Sequence, residues 1–76
     1  MYKTDIRLST IEDVRNFVTA ATKYPGEMDL TSGRYTVDAK SIMGIFSLDL
    51  LNPITLTVHG ENYETVLDEI KPFIVK

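Results

Sequence analysis

The chain has 76 residues, of which 43% are hydrophobic and 25% are charged, and its formal net charge is −3. This size allows a single domain spanning residues 1–76, and the composition excludes disordered and collagen-like chains. Lysine and arginine are dispersed along the chain, which argues against nucleic acids or acidic membranes as partners and favours proteins.

Cysteine is absent, which excludes disulfides and thiolate metal sites and is typical of a reducing compartment. No stretch approaches the roughly 18 apolar residues of a membrane span. The sequence also has no glycine-rich phosphate loop, histidine–carboxylate metal pattern or nucleophile–base pair. We therefore predict a cytoplasmic protein without cofactor, metal, membrane insertion or enzymatic activity.

The first third of the chain predicts a strand and an amphipathic helix. Residues 2–8 alternate apolar and polar side chains, as in a strand with one solvated face. The segment from Ser9 to Glu12 has the pattern of a capping box, in which Glu12 reaches back to the backbone of Ser9. The helix ends before Pro25-Gly26. Its apolar stripe consists of Ile11, Val14, Phe17, Val18 and Ala21.

The next elements are a hairpin, a short helix and another strand. Residues 27–38 alternate around a turn at Ser32-Gly33, which predicts two antiparallel strands. A short helix follows Ser41, and residues 49–53 form a connection. Residues 54–59 alternate again and predict a fourth strand with a threonine-rich outer face.

The last helix is predicted to start at an Asn62 N-cap and to end near Lys71, because Pro72 cannot continue a regular helix. Residues 73–75 then fold back on the core or extend as an edge strand. Each strand has one apolar face and each helix one apolar stripe, so the order of elements predicts an α+β fold in which one antiparallel sheet is covered on a single side.

The short helix after Ser41 is unusually apolar. Its large side chains would occupy more than one face of about two helical turns, and they are Ile42, Met43, Ile45, Phe46 and Leu48. Ile45 and Leu48 can fill the inward face, which leaves at least Ile42 and Phe46 facing outward. Exposed apolar side chains concentrated in one place indicate a partner.

The segment Lys40-Ser41-Ile42-Met43-Gly44, followed by an apolar pair and Ser47-Leu48, resembles the corresponding helix of HPr. HPr is the histidine phosphocarrier protein of the bacterial phosphoenolpyruvate-dependent sugar phosphotransferase system. The order and spacing of the predicted elements are also similar to those of this family. The resemblance implies an open-faced sandwich, with four strands in the order 1-4-2-3 and three helices on one face.

The resemblance does not extend to the reactive residues. HPr proteins carry a Gly-x-His-Ala-Arg-Pro-Ala motif at the start of the first helix, and Thr10, Glu12 and Asp13 stand at the positions of its histidine, arginine and proline. The resemblance thus implies a member with no catalytic histidine. The alternative for this segment is that its hydroxyls and acids only cap a helix. The single histidine, His59, is predicted to be a solvated side chain at the opposite end of the sheet from Thr10.

In the Gram-positive members, the serine at the position of Ser41 is phosphorylated by HPr kinase/phosphorylase. The apolar patch of the family binds enzyme I, the sugar-specific components and a transcriptional regulator of catabolite control. The resemblance therefore implies a regulatory phosphorylation site at Ser41 and a partner-binding surface at Ile42, Met43, Phe46 and Ser47. The other hypothesis is a regulatory interaction module, or a homodimer, with no role in phosphotransfer.

Overall fold

The computed structural model describes residues 1–75 and contains four strands, three helices and one 3₁₀ turn. Their order is the order that the sequence predicts. The elements are β1 (Tyr2–Ile6), α1 (Ile11–Thr22), β2 (Met28–Ser32), β3 (Tyr35–Asp38), α2 (Ile42–Phe46), β4 (Ile54–Val58), α3 (Glu64–Ile70) and the 3₁₀ turn (Lys71–Phe73).

The strands form one antiparallel sheet in the order β1-β4-β2-β3, which confirms the predicted fold class. Tyr2 pairs with Val58 at one end of the β1–β4 ladder, and Ile6 pairs with Ile54 at the other. The helices cover the face of the sheet on which Ile6 and Leu56 are buried. The opposite face is polar, and Thr55 donates a hydrogen bond of 3.1 Å to the Asp5 carboxylate there.

The core lies between the sheet and the helices. Apolar residues at every second strand position and every third or fourth helix position share one side of their elements, so burying them stabilises all the elements together. The largest fully buried side chains are Phe17, Ile6, Leu8, Met28, Leu30, Ile45, Ile54, Leu56, Ile70, Val14 and Val58.

Helix α1 is capped one residue later than predicted. Thr10 is the N-cap, and its hydroxyl accepts a 3.0 Å hydrogen bond from the N–H of Asp13. The Asp13 carboxylate, and not that of Glu12, accepts from the N–H of Ser9 at 3.0 Å. The predicted stripe is also wrong at its first member, because Ile11 is 68% exposed.

Helix α3 starts two residues after the predicted cap. Asn62 lies in the left-handed region with φ 58°, a conformation that asparagine tolerates better than most residues, and Tyr63 is the N-cap without a side-chain hydrogen bond. The ring of Tyr63 stacks on that of Tyr2 at a centroid distance of 5.2 Å, which ties the start of the helix to β1. At the other end the regular helix stops at Ile70, and Pro72 lies in the 3₁₀ turn, as expected.

The segment after α3 both folds back on the core and extends the edge of the sheet, the two alternatives that the sequence predicts. Ile74 forms an antiparallel bridge with Ile6 on the free edge of β1, and the N–H of Arg7 donates to the carbonyl of Phe73 at 2.8 Å. The Phe73 ring packs edge-on against Phe17 in the core, with a centroid distance of 5.9 Å. The segment therefore extends the sheet and closes the core.

Tyr24, just after α1, occupies a slot between two glycines. A Cβ atom at Gly26 would lie 2.6 Å from the Tyr24 ring, and a Cβ atom at Gly60 would collide with the Tyr24 hydroxyl. That hydroxyl donates a 2.8 Å hydrogen bond to the carbonyl of Glu61. The two glycines are needed here because the ring packs directly against their backbone.

Alanine at either glycine is expected to lower the free energy of unfolding by about 1–3 kcal/mol, the usual cost of forcing a methyl group into a packed site. The two costs should differ in origin. Gly60→Ala meets mainly the hydroxyl, so its cost should fall in a Tyr24→Phe background, whereas Gly26→Ala meets the ring and should cost the same in both backgrounds. Urea unfolding of the unmodified protein and the five variants measures this, and equal relief of both glycine substitutions would contradict the slot geometry.

Candidate functional site

The N-terminus of α2 is held by a run of hydrogen bonds that begins at the end of β3. The Asp38 carboxylate accepts from the N–H of Lys40 at 2.9 Å, and the Asp38 carbonyl accepts from the N–H of Ser41 at 3.0 Å. The Ser41 hydroxyl then accepts from the N–H of Gly44 at 3.2 Å, so Ser41 is the N-cap. Ser41 is exposed to solvent.

Lys40 has a role that the sequence analysis did not assign. Its ammonium group donates to the carbonyls of Tyr24 and Gly26, at 2.5 and 2.9 Å, and so ties α2 to the loop after α1. The Lys40 ammonium therefore forms contacts within the domain. A lysine directly before the capping serine was visible in the motif, but its partners lie 14 and 16 residues away in sequence and no local pattern reveals them.

The apolar residues of α2 differ in exposure according to their angle around the helix. Ile45 is fully buried, Phe46 is 42% exposed and Met43 is 77% exposed. At about 100° per residue, Met43 lies about 160° from Ile45 and Phe46 about 100°, whereas Ile42 lies only about 60° away. Ile42 is accordingly half-buried and packs against the core, so the prediction that it faces outward is only partly right.

We call Met43 and Phe46, with the exposed part of Ile42, the α2 patch. Ser47 caps the end of the helix, where its hydroxyl donates to the carbonyl of Gly44 at 2.6 Å, and it is also exposed. Gly44 itself is confined, because a Cβ atom there would lie 3.2 Å from Val37 and 3.2 Å from the Ser41 hydroxyl.

Two further apolar residues are strongly exposed, and the sequence analysis did not assign either to a binding surface. Leu51, in the loop after α2, is 87% exposed. Ile11 lies on the flank of α1 opposite Ala20, which faces α3, so Ile11 is on the flank toward α2. The loop that contains Leu51 leads into Ile54, which pairs with Ile6. Ile6 also precedes the start of α1, so Leu51 and Ile11 both lie toward the Ile6 end of the sheet.

The segment at the start of α1 places its own oxygens on the backbone donors. Asp13 accepts from Ser9 and Thr10 accepts from Asp13, and the Glu12 side chain is exposed in the first turn. An incoming phosphate would meet two carboxylates where the positive end of the helix would otherwise attract it. Thr10 and Asp13 therefore have a clear structural role as the cap of α1.

His59 is far from this segment, as predicted. It follows Val58, which pairs with Tyr2, whereas Thr10 follows the other end of β1. Its side chain is 36% exposed, and its Nε2 lies 2.6 Å from Oδ2 of Asp29, so it is hydrogen-bonded rather than fully solvated.

Two general properties complete the description. Among residues 1–75, no cluster of three or more histidine, aspartate or glutamate side chains is arranged to hold a metal ion. Within the same residues, every helix is too short or too polar to cross a membrane.

Three solved structures show how closely the fold resembles known proteins. HPr-C-His from Thermoanaerobacter tengcongensis superposes with a TM-score of 0.81 at 25% identity, over 95% of this chain and 89% of the other. The phosphocarrier protein HPr from Bacillus anthracis gives 0.74 at 25% identity, over 97% and 96%. The histidine-containing phosphocarrier protein of Mycoplasma gives 0.72 at 17% identity, over 93% and 86%, and shows the shared fold.

No curated protein matches the chain in sequence. The sequence model of the family described as "PTS HPr component phosphorylation site" matches residues 13–76, so it begins after Thr10 and Glu12 and includes Ser41 and all of α2. The match extends over most of the chain and agrees with the 1-4-2-3 sheet. The chain belongs to the HPr family of the sugar phosphotransferase system, whose members are phosphocarriers and not enzymes.

Proposed function

We propose that this HPr-family protein acts by docking to other proteins through the α2 patch, under control of phosphorylation at Ser41, and that it does not carry phosphate on histidine. The observation that carries the proposal is the arrangement of α2. An exposed serine hydroxyl at its start lies two residues from Met43, which is 77% exposed. A phosphate on the serine would therefore lie beside the surface that a partner must cover.

The start of α1 supports the loss of the carrier function. Thr10 has no ring nitrogen that could accept a phosphoryl group, and its hydroxyl is already an acceptor for the Asp13 N–H. Glu12 and Asp13 add negative charge at the same helix end. Both features oppose binding of a second anion there.

The geometry at Ser41 supports its modification. A phosphoserine adds about −1.5 to −2 charges at neutral pH, and a helix N-terminus accommodates negative charge. The neighbouring ammonium of Lys40 already donates to two carbonyls, so a contact with the phosphate would compete with those bonds. The fold should therefore tolerate the phosphate, while the charge of the α2 surface changes.

The proposed partners are those that the family binds through this surface, namely enzyme I, HPr kinase/phosphorylase and a transcriptional regulator, which implies action in the cytoplasm. A second candidate function is a homodimer or a regulatory interaction module without any phosphotransfer. It is favoured by the exposure of Leu51 and Ile11, which adds exposed apolar area outside α2.

Incubation with enzyme I and labelled phosphoenolpyruvate is expected to leave the protein unlabelled, because position 10 offers no imidazole. HPr from Bacillus anthracis serves as the positive control. Thr10→His alone should remain poorly labelled, since Glu12 and Asp13 still repel phosphate, and adding Glu12→Arg should increase labelling. Acid-labile phosphate on the unmodified protein would contradict the proposal.

Incubation with HPr kinase and ATP is expected to place one acid-stable phosphate on Ser41. Ser41→Ala should abolish the label and, through loss of the cap, lower stability by about 1 kcal/mol. Ser9→Ala is the matched control, since Ser9 is also exposed and lies outside α2. Label that persists in Ser41→Ala, or that disappears in Ser9→Ala, would be evidence against Ser41 as the site.

Met43→Asp is expected to weaken binding to enzyme I at least tenfold, about 1.4 kcal/mol, while the melting temperature changes little because Met43 is mostly exposed. Thr36→Asp adds the same charge on the polar face of the sheet, away from the helices, and should leave the affinity unchanged. Calorimetry measures both. A self-association that Met43→Asp abolishes in sedimentation, with no affinity for enzyme I, would favour the homodimer.

A further inference from the structure

A second concave surface lies at the opposite end of the helical layer from Thr10. It is a groove of about 340 Å³ between the last turn of α1 and the first turns of α3. Its floor is formed mainly by Ala20, Tyr24, Pro25 and Val66. This volume is at the low end of the roughly 300–1,000 Å³ found for ligand pockets, and it suits one large side chain better than a cofactor.

The floor of the groove is rigid. Tyr24 is 5% exposed and is fixed on both sides by Gly26 and Gly60, and its hydroxyl is bonded to the carbonyl of Glu61. Its own carbonyl is held by the Lys40 ammonium. A groove with a fixed floor loses little conformational freedom when it is filled.

The rim of the groove carries more negative than positive charge. Glu61 and Glu69 lie on the α3 side and Lys23 on the α1 side. The only ion pair here joins Lys23 to Glu69 at 3.4 Å, and both side chains are substantially exposed, so it is weak and easily opened. Glu64 and Asp68 are also exposed on α3, but they lie about 100° further round the helix and do not line the groove.

We propose that this groove is a docking site for a protein segment in which one large apolar side chain is flanked by lysine or arginine residues. The apolar side chain would fill the groove, and the basic residues would pair with Glu61 and Glu69. Glu61 and Glu69 are separate charges on the rim, and charge complementarity to both of them at once favours a polypeptide with two basic residues over a small amine. None of the residues that line the groove belongs to the α2 patch, so the domain has two separate docking surfaces.

The test uses three probe peptides and amide chemical shifts of the full chain. Acetyl-Lys-Leu-Lys-Lys-amide is expected to bind saturably and to shift the amides of Ala20, Thr65 and Val66. Replacing its leucine by serine should weaken binding at least fivefold, and acetyl-Glu-Leu-Glu-Glu-amide should not bind. Butylammonium is included as a small cation and should bind far more weakly than the first peptide.

Variants then locate the binding. Thr65→Phe fills the groove from its exposed rim, and the Glu61→Gln/Glu69→Gln pair removes the rim charge; each should weaken the first peptide at least fivefold. Glu27→Gln removes one exposed carboxylate outside the groove and should have no effect. An unchanged pattern of distant amide shifts confirms folding of each variant.

Several results would overturn the proposal. Equal binding of the serine peptide would reduce the effect to general charge attraction, and binding of butylammonium as tight as the peptide would indicate a small-molecule site. Shifts at α2 instead of α3 would place the binding elsewhere. Shifts that depend on protein concentration without any peptide would indicate a second copy of the chain, and the absence of shifts at millimolar peptide would exclude the site.

Discussion

Tyr24 and Lys40 form the contact on which the arrangement of the helices depends. The Tyr24 ring is inserted between the backbones of Gly26 and Gly60, and its carbonyl accepts from the Lys40 ammonium. This one cluster joins the end of α1, the start of β2, the loop before α3 and the segment that begins α2. A half-buried cation that is bonded in this way is costly to leave unpaired, so the position of α2 is coupled to the position of the Tyr24 loop.

The N-termini of α1 and α2 have the same local structure but differ in the charge of their first turn. Thr10 caps α1 and Ser41 caps α2, each with a hydroxyl that accepts from the N–H three residues later. At α1 the first turn adds two carboxylates, whereas the first turn of α2 has no acidic residue. The difference in charge within the first turn, more than the backbone, is what the two proposals rest on, the loss of phosphate transfer at Thr10 and the phosphorylation of Ser41.

The period-two and helical patterns were sufficient to predict every element and the one-sided sheet, because burial fixes the phase of each element. The strand order came from the resemblance at Lys40 to Leu48. Cap positions were less certain, since Ser9 to Glu12 and Thr10 to Asp13 both have the form of a capping box. The choice depends on where Leu8 enters the core, at 1% exposure, and no local pattern shows that. Asparagine is favoured both at N-caps and in left-handed turns. The sequence around Asn62 does not show which of the two it adopts, and the prediction of an N-cap was wrong for this reason.

The same limit explains the residues of the site that sequence reasoning missed. Ile42 is half-buried because α2 packs through Ile45, only about 60° away around the helix, and the inward direction of a five-residue helix cannot be fixed from its sequence. The groove between α1 and α3 depends on contacts between residues such as Lys23 and Glu69, which are 46 positions apart. Lys40 precedes α2 and bonds the Tyr24 carbonyl, while the Tyr24 side of the same contact lines the groove. The two proposed surfaces therefore depend on one packed contact for their shape.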